Sequence, residues 1–166
     1  MPRLPKEKAE KFRKGELKLA EAFGVNAKQL AALLKAGHAL YAQGRLEDAL
    51  NVFEGLAVLD GRNPYIHGIL GSIYQKQEKY DEAVARYSMA LKLFPRDVNS
   101  LTNRGEVYLT QGKFQESAAD FKAAIELDPT GKRPAANRAR MLVTLTQQAL
   151  KLAKEKGVEA FVKGKK

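Results

Sequence analysis

Three ten-residue stretches, GRLEDALNVF, EKYDEAVARY and GKFQESAADF, begin at residues 44, 78 and 112, a constant 34 residues apart. The interval holds beyond them. Gly37, Gly71 and Gly105 keep it, as do Ala49, Ala83 and Ser117, and Phe53, Tyr87 and Phe121, while Gly61, Pro95 and Pro129 close the three units. A unit of this size cannot bury its own apolar face, so neighbouring units must stack and share a core. Each unit has room for two helices of about 14 residues, each about 21 Å long, with short connections between them. First helices are expected over about 28–43, 64–77 and 98–111, and second helices over about 46–59, 80–93 and 114–127. Gly and Ala suit the places where two helix backbones approach closely, and the aromatic residues fill the space beside them. Gly44 and Gly112 fit the turns inside the units, where glycine tolerates a left-handed backbone.

Small, aromatic and proline landmarks at this period resemble the tetratricopeptide repeat. Its pattern of Leu-Gly, Tyr, Ala, aromatic, Ala and Pro is met in the second unit by Leu70, Gly71, Tyr74, Ala83, Tyr87, Ala90 and Pro95. The third unit meets it with Gly105, Tyr108, Phe121, Ala124 and Pro129. The first is looser, with Leu40 at the Tyr position, Leu56 at the second Ala and Gly61 at the Pro. The resemblance implies an all-α fold: three repeats (about 28–61, 62–95 and 96–129) in a right-handed superhelical solenoid. Residues 25–129 then form the repeat region, flanked by a leading helix in 1–24 and a long C-terminal capping helix with a basic tail in 130–166.

The flanks read as helices on their own terms. Asn26 is placed to cap a helix, with Gln29 three residues on as its capping-box partner. Ahead of it, Phe12, Leu17, Leu19, Ala20 and Phe23 have helix-compatible spacing interrupted by Gly15. After Pro129, Met141, Leu142, Leu145, Ala149, Leu152 and Ala153 form one stripe on a helix that Pro134 suits at its first turn. The net charge of +10 sits on these flanks: residues 1–24 carry +3, residues 25–129 carry −1 and residues 130–166 carry +8. Two basic ends around a neutral body point to solvated tails or weak contacts with anionic partners.

The residues of catalysis are missing. The chain has no cysteine, and its two histidines, His38 and His67, fall on different helices without ligand spacing, so no metal site and no cofactor is expected. Gly131-Lys132 lacks the upstream glycine of a phosphate-binding loop, because residue 126 is Glu. Glu47-Asp48 and Asp81-Glu82 occupy equivalent helix starts, where acids suit the helix dipole. The chain therefore reads as a non-enzyme without a small-molecule substrate. No apolar run approaches the 18 residues of a membrane span, and the N-terminus has no signal-like apolar region, which fits a cytoplasmic protein.

On the repeat family's pattern the first helices line a concave wall. Inward positions fall at Leu34, His38 and Tyr41, then at Tyr65, Ser72, Gln75 and Lys76, then at Asn99, Thr102, Glu106 and Leu109. Such a wall of aromatic, aliphatic and amide groups suits an extended peptide. A clamp for a C-terminal carboxylate is disfavoured, because its positions here hold His38, Ser72 and the acidic Glu106. Residues 20–129 are also similar to the class II chaperones of bacterial type III secretion systems, through Gly24, Val25, Tyr41, Gly44, Arg45, Ala49, Phe53, Leu56, Leu59 and Asp60. That resemblance implies binding of a Pro-x-Leu-x-x-Pro-like segment of a pore-forming translocator, and homodimerisation through the leading region. Two alternatives stand beside it: a scaffold or self-assembling adaptor of a multiprotein complex, and attachment to anionic membrane or nucleic acid through the basic ends.

Overall fold

The computed structural model describes residues 5–14 and 19–155, and within them the chain is helical throughout. The three repeats are α3 (Ala27–Ala42) with α4 (Leu46–Leu59), α5 (Pro64–Lys76) with α6 (Tyr80–Leu93), and α7 (Val98–Thr110) with α8 (Phe114–Glu126). Every one of these begins and ends within one residue of the span expected from the period. Of the leading flank, α1 (Lys6–Arg13) and α2 (Leu19–Ala22) are described, and residues 15–18 between them lie outside the described residues. Leu17 of the leading flank and the tail after Glu155 lie outside the described residues, as do the side chains of Phe12, Ala149, Leu152 and Ala153. The closing helix α9 (Pro134–Glu155) is the longest, at 22 residues.

The helix starts follow local chemistry. Asn26 forms the complete capping box with Gln29, at 3.0 Å and 2.9 Å for the two bonds. Asn63 and Asp97, one period apart, cap α5 and α7 by accepting backbone N–H groups of the first turn. Asp128 anchors the entry to α9. Its carboxylate accepts from the backbone of Arg133 at 2.6 Å and of Lys132 at 3.2 Å, and these bonds, led by Arg133, hold it below the usual carboxylate range.

The turns inside the repeats share one geometry. Gly44 N–H donates to Tyr41 O and Arg45 N–H to Leu40 O; Gly112 and Lys113 repeat this with Leu109 and Tyr108. This double bond is the Schellman ending, which needs a left-handed residue. Gly44 and Gly112 supply it at φ +75° and +72°. The middle repeat makes the same two bonds with Glu78 in the left-handed position, at φ +60°. A side chain there costs roughly 1–2 kcal/mol. Glu78→Gly should therefore stabilise the protein by about 1 kcal/mol, a rise in melting temperature of about 2–4 °C for a chain of this size. An unchanged or lowered melting temperature would show that Glu78 gains elsewhere what its backbone loses.

Three side-chain clusters fill the stack. Ala49, Phe53 and Leu56 of α4 meet Ile66, Leu70 and Ile73 of α5, joining the first repeat to the second. Ala83 and Tyr87 of α6 meet Val107 of α7. Leu91, Val98, Leu101, Phe121 and Ala124 meet Ala135, Ala136 and Ala139, so α9 closes the stack with a face of small residues that lets its backbone approach closely. Inside each repeat the landmark glycine lies against its aromatic partner. A Cβ built on Gly37, Gly71 or Gly105 would fall 2.8, 2.6 and 2.7 Å from the rings of Phe53, Tyr87 and Phe121 respectively.

Polar contacts repeat with the period as well. Gln77 donates to Glu47 at 3.0 Å, and Gln111 donates to Asp81 at 2.8 Å. Each pair ties a first helix to the second helix of the preceding repeat. Glu54 of α4 accepts from Arg86 at 2.5 Å and from the Tyr74 hydroxyl at 3.0 Å, and burial together with that bond pushes the Tyr74 phenol upward. One interface further on, Arg104 grips Asp120 with two bonds of 2.8 Å and Ser88 with one of 2.9 Å.

Candidate peptide groove

The wall is made by α3, α5 and α7, with the start of α9 beyond them. Along it the side chains pair from helix to helix. His38 of α3 and the Tyr65 hydroxyl of α5 are 2.6 Å apart, and the His38 ring also stands edge-on to Phe53. The Lys76 ammonium lies 4.3 Å from the centre of the Tyr41 ring, within cation–π range. Tyr65 is 53% exposed, whereas Tyr41 is half-buried against the first core cluster.

Between α5 and α7 the wall opens into a cleft of about 270 Å³. Tyr65, Gly68, Ile69 and Ser72 form one side, and Asn99, Ser100 and Asn103 form the other. Arg138 of α9 closes one end, where its guanidinium donates to Glu106 and Asn103. Asp97 closes another part of the rim, but its carboxylate is occupied: it accepts from Asn99 N–H, Ser100 N–H and the Ser100 hydroxyl. Below the wall Tyr87 donates to Gln75 at 2.8 Å and lies 3.1 Å from Ser72, whose hydroxyl is in turn 3.5 Å from the Asn103 amide. Burial pushes the Tyr87 phenol far above its ordinary range, so this network stays neutral.

The anticipated wall residues thus separate. Tyr65, Ser72 and Asn99 come together in the cleft, with Glu106 joined to it through Arg138. His38, Tyr41 and Lys76 pair across α3 and α5. Leu34 and Leu109 are half-buried and pack against the first and third core clusters, and Gln75 serves the buried Tyr87. Thr102 is a correction. It has no exposed surface, and its hydroxyl donates to Ala135 O at 3.2 Å, because α9 covers the place that a further repeat would occupy. Gly68, Asn103 and Arg138 were not anticipated. Gly68 carries a signal in the period, since it breaks a column that holds Leu34 and Thr102, whereas Asn103 shares nothing with Lys35 and Ile69 of its own column. Arg138 has no such signal, lying outside the repeats.

Among the described residues no group of three His, Asp or Glu could hold a metal ion, and no helix is long and apolar enough to cross a membrane. Two family models, both of the tetratricopeptide repeat, match residues 6–64 and 70–144. The chain belongs to the tetratricopeptide repeat family. Solved repeat proteins superpose on it over most of their length. A type III secretion complex from Aeromonas hydrophila matches with a TM-score of 0.78 at 21% identity, covering 88% of this chain and 99% of that one. The Yersinia enterocolitica secretion chaperone SycD, in complex with a peptide of the translocator YopD, matches at 0.68 and 26% identity, covering 79% and 98%. The first tetratricopeptide domain of Spaghetti, bound to the HSP90 peptide SRMEEVD, matches at 0.67 and 21% identity, covering 75% and 95%. No curated protein sequence matches this repeat protein.

Proposed function

We propose that this tetratricopeptide repeat protein is a non-catalytic peptide-binding module that holds an extended client segment along the wall of α3, α5 and α7. The observation that carries the reading is the cleft between α5 and α7, where half-exposed Tyr65 and the unbonded Asn99 amide face an open space. Tyrosine supplies apolar area with one polar end, and an amide can bond a peptide backbone in either direction. The likeness to SycD bound to a YopD peptide favours a secreted translocator as the client, held before export by a bacterial cytoplasmic chaperone. A C-terminal carboxylate of the HSP90 kind is a poorer fit: Asp97 and Glu106 stand on this wall, and Arg138 is already engaged by Glu106.

The test begins with selection of a displayed library of ten-residue peptides on the full chain. Enriched peptides are then labelled with fluorescein and titrated. Tyr65→Ala should weaken them at least about tenfold, the scale of an aromatic hot spot, while circular dichroism stays unchanged. Tyr65 makes this the clean variant, since Tyr41 also supports the core. Enriched peptides with a Pro-x-Leu-x-x-Pro pattern would support the translocator reading. No enrichment, or full affinity in Tyr65→Ala, would remove the groove as the binding site.

A further inference from the structure

One column of the repeat, one residue per first helix, decides the shape of the wall. It holds Leu34 in α3, Gly68 in α5 and Thr102 in α7. Leu34 packs onto the first core cluster and Thr102 is buried beneath α9, so both side chains fill their places. At Gly68 no side chain of the helix itself does, and the Ser100 hydroxyl and Asp97 border the place. A Cβ added there would meet the Ser100 hydroxyl at 3.4 Å and Asp97 at 4.0 Å, both ordinary contacts. The helix therefore does not need glycine at this position for packing, and its φ is not left-handed. Glycine inside a helix is costly relative to alanine, so its presence leaves space rather than stability. That space belongs to the cleft, which Gly68 lines.

We propose, building on the peptide-groove reading, that Gly68 opens a pocket for one uncharged aliphatic side chain of the client, and that this pocket sets the register of the bound segment. The chemistry of the rim selects against charge. The Asp97 carboxylate is spent on capping α7 and on the Ser100 hydroxyl, with the positive end of the helix beside it. The Arg138 guanidinium is spent on Glu106 and Asn103. A charged side chain would lose its water and gain neither partner. An aliphatic side chain would find the Tyr65 ring, Ile69 and the bare Gly68 backbone, with the Asn99 amide at the mouth for the adjoining peptide bond.

The test uses the peptides enriched on the full chain, titrated against Gly68→Leu, Gly68→Ala and the control Gly55→Ala. Gly68→Leu restores the side chain that the first repeat carries and should weaken binding at least about tenfold. Gly68→Ala fills less of the pocket and should weaken it about threefold, so the idea stays testable if the leucine variant folds poorly. Gly55 lies exposed within α4 with open space about its Cβ. Both alanine variants should raise the melting temperature by a few degrees through helix propensity, but only Gly68→Ala should lose affinity. Double-mutant cycles between Gly68→Leu and alanine scans of the peptide then locate the inserted residue, which should be aliphatic. Wild-type affinity in Gly68→Leu, or a charged inserted residue, overturns the proposal. Peptides that lose affinity in Tyr65→Ala but ignore Gly68→Leu would retain the groove and reject the pocket, whereas a library without enrichment rejects both.

Discussion

Gly71→Leu should lower the stability of this protein by about 3 kcal/mol, the upper end of the range for overpacking a core. The first carbon of the new side chain would fall 2.6 Å from the Tyr87 ring, closer than real side chains come. The ring has no easy retreat. It is fully buried, and its hydroxyl is held by Gln75 with Ser72 beside it, so a shift of the ring breaks the network under the wall. A loss of this size should depress the melting temperature by about 6–12 °C, at about 2–4 °C per kcal/mol for a chain of this length. Calorimetry checks it, and a loss below 1 kcal/mol would mean that α5 and α6 can slide apart. Tyr87→Ala in the same background is informative. It opens the space that leucine requires, so the double variant should cost less than the two single costs added together.

Asp120→Ala should cost a similar amount, about 3 kcal/mol, for an electrostatic reason. Asp120 is buried, and Arg104 keeps only 21% of its side-chain surface exposed. The pair is bidentate, and Arg104 also reaches Ser88 on α6, so one guanidinium ties α6, α7 and α8 together. Its bond to Asp120 is the main influence raising the affinity of Arg104 for its proton above that of an ordinary guanidinium. Removing the carboxylate leaves that half-enclosed charge with only the Ser88 hydroxyl and the Tyr108 ring beside it, and breaking such pairs from one side typically costs about 3–5 kcal/mol. The lower end applies because the arginine is not fully enclosed. Replacing both partners together, as Arg104→Met with Asp120→Leu, should recover much of the loss, since no charge is then left unpaired. Urea denaturation of the two variants reports both values. Equal losses in the single and double variants would show that the geometry of the clasp matters and its charge does not.

How much of this was legible in the sequence follows from what repeats. The 34-residue period carries the helix spans, because each landmark performs the same physical task in each unit: Gly71 and Gly105 meet a ring, and Gly44 and Gly112 turn the chain. Glu78 shows the limit of reading residue types alone, since it takes the left-handed backbone of a glycine without being one. The wall was less legible than the stack. Thr102 has the position of a wall residue, yet the single repeat nearest the end of the stack is capped by α9, and no periodic argument says how that helix lies. Arg138 belongs to the same cause: its reach to Glu106 and Asn103 depends on the path of α9. Gly68 was visible as a gap in a column, but a gap acquires meaning only when its neighbours are seen not to fill it.

The Gln77–Glu47, Gln111–Asp81 and Arg86–Glu54 contacts have one further consequence. Each fastens a repeat to its immediate neighbour, and the first repeat has no comparable bond to the third. The repeats are thus coupled in series, the first to the third through the second. A segment seated from Tyr41 past Tyr65 to Asn99 would touch all three repeats at once. Cargo would then link directly two ends that the free chain links only in series.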